Sequence, residues 1–127
     1  ILASEELMSL CREEGIGLTP WSPLARGKLA ATQSVETLRA GTDEQSVQWY
    51  QCTGGIDETV ANVGGLAKAR GVSPAQIALA WVLAKRYITP PIVGLSKPYH
   101  LTDALGALSL ELSSDEMIRL ETAIDAN

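Results

Sequence analysis

The 127-residue sequence predicts an α/β fold: about two short parallel strands with flanking helices. Two apolar pieces, Ile16 to Trp21 and Ile92 to Leu95, each run into a loop of Ser, Pro, Gly and a cation. Between and around them lie stretches whose apolar residues recur at spacings of three and four, the period of helices. A strand, intervening helices and a second strand make a right-handed crossover with a parallel pair. The two loops then stand at the carboxyl ends of parallel strands, where α/β proteins gather anionic ligands on exposed N–H groups and helix N-termini.

The elements follow in order. Ser4 can cap a helix carrying Leu7, Leu10 and Cys11 on one face, and Gly15 supplies a left-handed stop after about Glu14. In the strand Ile16 to Trp21, Pro20 and the nearby Pro23 cannot donate to a ladder, so the chain leaves the sheet there. Residues 25–56 show no steady period and hold Gly41, Thr42, Asp43, Gly54 and Gly55, which predicts a long loop. Asp57 is placed to cap the next helix, with Val60, Val63 and Ala67 inward and Gly71 as its end. Gly64 and Gly65 each cost that helix roughly 1 kcal/mol relative to Ala, so packing rather than propensity must hold it.

Ser73-Pro74-Ala75-Gln76 is a strong helix start, with a Ser cap, Pro at the first helical position and Gln three residues after the cap. The helix carries Ile77, Leu79, Ala80, Trp81, Val82, Leu83 and Ala84 and is apolar almost all round, so it needs cover on more than one side. With only two strands, the chain is expected to leave strand edges and the apolar helix at residues 74–84 uncovered. Pro98 opens a further helix with Leu101, Leu105 and Leu108 expected inward. Ser113-Ser114-Asp115-Glu116 caps a last one carrying Met117, Leu120 and Ile124.

Length and composition fit a single domain over 1–127: 46% of residues are hydrophobic and mean hydropathy is +0.08. A net charge of −5, with no basic run and no interleaved aromatics, excludes nucleic acid and anionic membrane as general partners. Cys11 and Cys52 have no CxxC spacing and no companion ligands, so neither a metal nor a disulfide is expected. No apolar run approaches the roughly 20 residues of a membrane span, and no basic leader precedes Ile1, so a cytoplasmic location is expected.

Three motifs carry a resemblance. Trp21-Ser22-Pro23-Leu24-Ala25-Arg26-Gly27, then Gly71-Val72-Ser73-Pro74-Ala75-Gln76-Ile77-Ala78-Leu79-Ala80-Trp81-Val82-Leu83, then Pro91-Ile92-Val93-Gly94-Leu95-Ser96-Lys97-Pro98 resemble, in that order, the C-terminal half of an aldo-keto reductase. The likeness runs from about Glu5 to Leu120. It implies that these residues are the cofactor-binding C-terminal part of a (β/α)8 TIM barrel, incomplete without a partner or the N-terminal half. The family reduces carbonyls with NADPH, using Asp, Tyr, Lys and His on early strands that this sequence does not contain. The implied cofactor is NADP(H) and the implied substrate a small carbonyl compound. No catalytic residue is expected in this chain, and Tyr50, Tyr87 and Tyr99 do not align with the family's catalytic Tyr. The implied partner is a complementary N-terminal half-barrel, or a second copy by self-association.

The same resemblance assigns the binding residues. Trp21 falls where an aromatic stacks on the nicotinamide, and Ser22, Pro23 and Leu24 where the chain wraps the pyrophosphate. Arg26, and less so Lys28, offers a cation to the diphosphate, and Gly27 lets backbone approach closely. Gly94, Ser96 and Lys97 fall at the adenosine 2′-phosphate, His100 where the family carries Arg or Gln, and Asp103 where it carries an acid on the adenine amine. Ala104 replaces a common Asn, and His100 is a weaker partner for phosphate than Arg. Read without the family, Trp21 is a core plug, Ser22-Pro23 a turn and Lys97-Pro98 an ordinary helix start. Two other functions stay open: a noncatalytic binding or regulatory module, and an inactive truncated fragment held by oligomerisation.

Overall fold

The computed structural model describes residues 5–30, 56–86 and 88–125. Helix α1 (Glu5–Glu13) buries Cys11 and ends where expected: Gly15 takes φ +66°, and Ile16 donates to the Cys11 carbonyl at 2.7 Å. The chain then extends to Leu18, which forms a parallel bridge with Ile88, and Thr89 donates to the Leu18 carbonyl at 2.8 Å. A Cβ at Gly17 would overlap Thr89 Oγ1, so this contact requires glycine.

The pair is parallel, as the sequence implies, but it is one bridge rather than two strands. The second partner is Ile88, not the expected Ile92 to Leu95, which forms no bridge or ladder. Pro20 on one side and Pro90-Pro91 on the other remove the donors that would lengthen it.

The expected long loop begins with a 3₁₀ segment, Ala25–Ala30, broken by left-handed Arg26 and Gly27. Its remainder, with Tyr50 and Cys52, lies outside the described residues, as does Tyr87. Helix α2 (Ile56–Arg70) starts one residue before Asp57. Asp57 therefore sits with Glu58 in the first turn, where its charge suits the helix dipole, instead of capping. Val63, Leu66 and Ala67 are buried, and Gly71 ends the helix at φ +66°.

Helix α3 (Pro74–Leu83) carries the complete capping box: Gln76 N–H donates to Ser73 Oγ at 3.2 Å and Ser73 N–H to Gln76 Oε1 at 3.0 Å. It buries Pro74, Ile77, Ala78, Leu79, Ala80 and Val82. The expectation that this helix lies uncovered holds only at its end, where Leu83 and Ala84 are exposed; elsewhere α2, the first 3₁₀ segment, helix α4 (Pro98–Gly106) and a second 3₁₀ turn (Ala107–Ser109) pack on it. The core joins Val63, Leu66 and Ala67 of α2, Ile77 of α3 and Leu120 of helix α5 (Ser114–Asp125). Leu29, Val72, Trp81, Leu110 and Leu112 close it.

On α4 and the 3₁₀ turn after it the leucines face the other way from expectation. Leu101, Leu105 and Leu108 are 51%, 56% and 68% exposed. Contact with α3 falls at the end of α4, where Gly106 meets Gln76, and in the next turn, where Ala107 is buried.

Helix α5 has its own capping box, Ser113 N–H to Glu116 Oε2 at 2.7 Å and Glu116 N–H to Ser113 Oγ at 3.3 Å. Glu116 also receives a bidentate pair from Arg70 of α2, at 2.8 Å for each bond. Gly65 of α2 faces Arg119 of α5, and Asn62 donates to the Arg119 carbonyl at 3.1 Å. Of the two glycines only Gly65 has α5 beside it; a Cβ at Gly64 would meet nothing within 4 Å. Leu120 is buried as expected and Met117 half-buried; the Ile124 side chain lies outside the described residues. Among the described residues no helix is long and apolar enough to cross a membrane.

Two outcomes follow for stability. A Cβ at Gly106 would overlap Gln76 Nε2, and Gln76 cannot swing aside without losing its bond to Ser73. Gly106→Ala should therefore be neutral or destabilising in the native background, despite a helix-propensity gain of about 1 kcal/mol. With Gln76→Ala present it should stabilise by about that amount, a coupling that a denaturant double-mutant cycle reads directly.

Hydrogen bonding from Arg70, then from the Ser113 backbone, holds the Glu116 carboxyl at about 2, below its ordinary 4.5. Its contribution is complete above 4.5 and disappears as pH falls through 2. Glu116→Gln should flatten that acid limb in pH-dependent urea melts and leave the slope above pH 6 unchanged.

Candidate functional site

Both extended segments leave the Leu18–Ile88 bridge in the same direction. The loop after Leu18 and the loop after Ile88 therefore stand at the carboxyl end of one parallel pair, the side on which α/β folds hold their ligands.

The first loop is held largely by its own backbone. Ala25 N–H donates to the Ser22 carbonyl at 2.9 Å, Gly27 N–H to Leu24 at 2.9 Å, and Arg26 N–H to Ser22 Oγ at 3.0 Å. Ser22, Ala25 and Arg26 take φ of 54°, 49° and 55°, a left-handed conformation that L-residues adopt at a cost. Gly27, at φ 99°, has open space where a Cβ would be, so that backbone remains approachable. The Ser22 hydroxyl serves the loop's shape first, a role the motif alone did not reveal.

Trp21 is 67% exposed, and the Arg26 guanidinium carbon lies 5.8 Å from its ring centroid. It is therefore not the core plug that the sequence left open. Pro23 and Leu29 turn the other way, lining an apolar cavity of about 80 Å³ with Thr59, Val63, Ala78, Trp81 and Leu120. Their part is to anchor the loop on the helical core. Leu24 is half-buried.

The second loop presents Gly94, Leu95, Ser96 and Lys97, all exposed. Lys97 is the N-cap of α4 with φ −140°, has no side-chain cap, and is followed by Pro98 at the first helical position. The N-terminus of α4 thus lacks the acceptor that Ser73 gives α3, and its partial positive charge is left for an anion. Lys97 Nζ lies 5.6 Å from the Tyr99 ring, which meets His100 edge-on at 4.6 Å.

His100 Nδ1 faces the Ser96 N–H at 3.4 Å and Ser96 Oγ at 3.5 Å. A backbone N–H can only donate, so Nδ1 accepts and the neutral ring carries its proton on Nε2. His100 therefore ties the loop to the helix and keeps an Nε2–H donor. Tyr99 stands in this group through its contacts with Lys97 and His100, unforeseen from the sequence, where its only signal was an aromatic between Lys97 and His100 at a helix start. Asp103 is half-buried one turn beyond His100.

The structure thus brings Trp21, Ser22 and Arg26 together in one cluster and Ser96, Lys97 and His100 in another. Donors, a cation and a helix N-terminus in one loop suit a phosphate, and an exposed indole beside a second loop suits a flat ring. Among the described residues no group of three or more His, Cys, Asp or Glu could hold a metal ion.

The profile of the Aldo/keto reductase family matches residues 1–125. The chain belongs to the aldo/keto reductase family. A Schizosaccharomyces pombe protein provisionally named an aryl-alcohol dehydrogenase is 42% identical over 120 residues, 91% of this chain and 33% of its own length. The chloroplastic pyridoxal reductase of Arabidopsis thaliana is 36% identical over 118 residues, 93% of this chain and 31% of its own. Among solved structures, a thermostable aldo-keto reductase crystallised with the inhibitor epalrestat superposes with a TM-score of 0.61 at 26% identity, covering 94% of this chain and 34% of that one. The chain spans about a third of the length of these relatives. Its fold is accordingly that of part of an aldo-keto reductase barrel, seen here mainly as its helical layer.

Arg26 gives a test of loop strain. Replacing a left-handed Arg with glycine removes a steric cost of roughly 1 kcal/mol. Arg26→Gly should raise stability in denaturant melts by about that much, although it deletes a charge from the loop.

Proposed function

We propose that this chain is the NADP(H)-holding portion of an aldo-keto reductase that reduces small aldehydes and ketones. The observation that carries the reading is the pair of loops leaving one end of the Leu18–Ile88 bridge, one with an exposed indole and the other with Ser96, Lys97 and an uncapped helix N-terminus. The family generally uses NADP(H), and the donor set fits it. Ser96, Lys97, His100 through Nε2–H and the α4 N-terminus would hold the 2′-phosphate, with Asp103 on the adenine side. Ser22, Leu24, Arg26 and the open backbone at Gly27 would follow the pyrophosphate, and Trp21 would face the nicotinamide.

When bound, the nucleotide supplies a hydride to the carbonyl carbon. This chain's residues bind and orient it, and Trp21 shields one face of the ring from water. Proton delivery to the carbonyl oxygen is assigned to the family's Tyr and Lys on β/α units supplied by a complementary N-terminal half-barrel. The names of the two relatives point to ring-bearing carbonyls as the substrate class.

The exposed leucine stripe of α4, with Leu7 and Leu10 on α1, supports a partner surface for those units. A second reading, an inactive portion held by self-association, draws on the same leucines. Sedimentation of the purified chain with and without the complementary half separates the two.

The isolated chain should show no aldehyde-dependent NADPH oxidation, since positioned proton transfer typically contributes about 10²–10⁴-fold. Lys97→Ala should weaken NADP(H) about tenfold in calorimetric titrations, more than Lys28→Ala, because Lys97 sits at a helix N-terminus. His100→Arg should tighten binding and favour NADP over NAD. Equal affinities for the two nucleotides, insensitive to both substitutions, would remove the reading.

A further inference from the structure

The ring of His100 is held in a way that one proton changes, and the inference drawn from it rests on the nucleotide site proposed above. Nδ1 faces two groups of Ser96, the backbone N–H at 3.4 Å and Oγ at 3.5 Å. The N–H can only donate, so in the neutral ring Nδ1 accepts it and the ring proton sits on Nε2. The hydroxyl can donate or accept, and it therefore offers Nδ1 a partner in either protonation state.

A proton from solvent that adds to Nδ1 takes the lone pair that the N–H was sharing. Nδ1–H then turns to Ser96 Oγ, and the Ser96 N–H is released beside Lys97, at the start of α4. The same step adds a positive charge and frees a backbone donor, while Nε2–H stays in place. A phosphate dianion gains from both, whereas the plain ribose hydroxyl of NAD brings no charge to meet them.

Few charges surround the ring. Lys97, which shares the Tyr99 ring with His100, is a like charge, and Asp103 stands one turn on along α4 as an opposite one. Neither α3 nor the second 3₁₀ turn, both packed on α4, carries a charged side chain. A 2′-phosphate brings nearly two negative charges at neutral pH, and an opposite charge in contact favours imidazolium.

We infer that His100 is a proton-linked specificity-determining residue: binding of the 2′-phosphate draws a proton onto Nδ1 and turns the Ser96 N–H to the phosphate, so that preference for NADP over NAD rises as pH falls. The liganded ring keeps its proton to higher pH than the free ring. The advantage is therefore complete below the titration of the free ring and is lost as pH rises through that of the liganded one. A permanent Arg at this position would read the same phosphate without that dependence.

The test uses the full chain, whose single histidine makes the ring resonances unambiguous. NADP and NAD, which differ only in the 2′-phosphate, are titrated by calorimetry in buffers of different ionisation enthalpy. At about pH 7.5, NADP should bind with uptake of about half a proton and NAD with none. The NADP-to-NAD affinity ratio should fall about fivefold from about pH 6.5 to 8.5, and NADP alone should move the imidazole titration, followed by NMR, to higher pH. His100→Gln keeps hydrogen-bonding groups but cannot take the charge, so it should abolish the uptake and flatten the ratio, which a merely structural role would leave as they are. His100→Arg should give a high ratio at every pH. NADP preferred over NAD without proton uptake, or with uptake that persists in His100→Gln, overturns this inference and leaves the nucleotide site standing. NADP that binds no better than NAD at any pH removes the nucleotide-site reading, and this inference with it.

Discussion

The constraint on which the rest depends is the all-round apolarity of α3. A helix whose buried set runs Pro74, Ile77, Ala78, Leu79, Ala80 and Val82, with only Leu83 at its end exposed, needs cover on several sides. The chain meets that demand by laying α2, α4 and both 3₁₀ segments around it. Each of these fits through a specific device. Leu66 and Val63 supply bulk from α2, Gly106 and Ala107 allow α4 to come near, and Leu29 brings the first 3₁₀ segment down. The Ser73–Gln76 capping box fixes where this central helix begins, and Gln76 is also the side chain against which Gly106 packs. Helix start and helix packing are thus one coupled feature.

That arrangement also positions the ligand loops. The strained turn at Ser22 to Arg26 persists because both its ends are tied, by the Leu18 bridge on one side and Leu29 in the core on the other. Strain of this kind needs a surround that over-determines it. The second loop is tied differently, by the Pro98 helix start and the His100–Ser96 contacts. Neither loop depends on a long strand, which is why one bridge is enough to set their common direction.

Local signals were legible in the sequence wherever chemistry within a few residues decides the structure. The caps at Ser73 and Ser113, the left-handed stops at Gly15 and Gly71, and the placement of Leu120 all follow from such signals. The misses share another cause. Pairing at Ile88 rather than Ile92 depends on which residue lies opposite Leu18, and Pro90-Pro91 sets that limit without a periodic signature. The direction of the α4 leucines depends on how close its neighbour comes. Among the site residues, the motifs located both loops, while the inward turn of Pro23 and the tie between His100 and Ser96 appear only in three dimensions.

Helix α4 has two candidate inner faces, a leucine stripe and a small-residue stripe, and periodicity cannot rank them. Burial favours the leucines by transfer free energy, roughly 25 cal/mol per Å². Close approach to α3, with Gly106 at the contact, favours the small residues. Inside this chain the second consideration decides, since contact with α3 falls at Gly106 and Ala107. The leucines that lose this contest remain apolar and more than half exposed, at 51%, 56% and 68%. An amphipathic helix whose bulky side faces outward makes sense if more structure belongs there. Under the proposed reading, the same helix that offers its N-terminus to the nucleotide offers Leu101 and Leu105, with Leu108 of the following turn, to the remaining β/α units, so cofactor binding and docking of the catalytic half meet on one short stretch of chain.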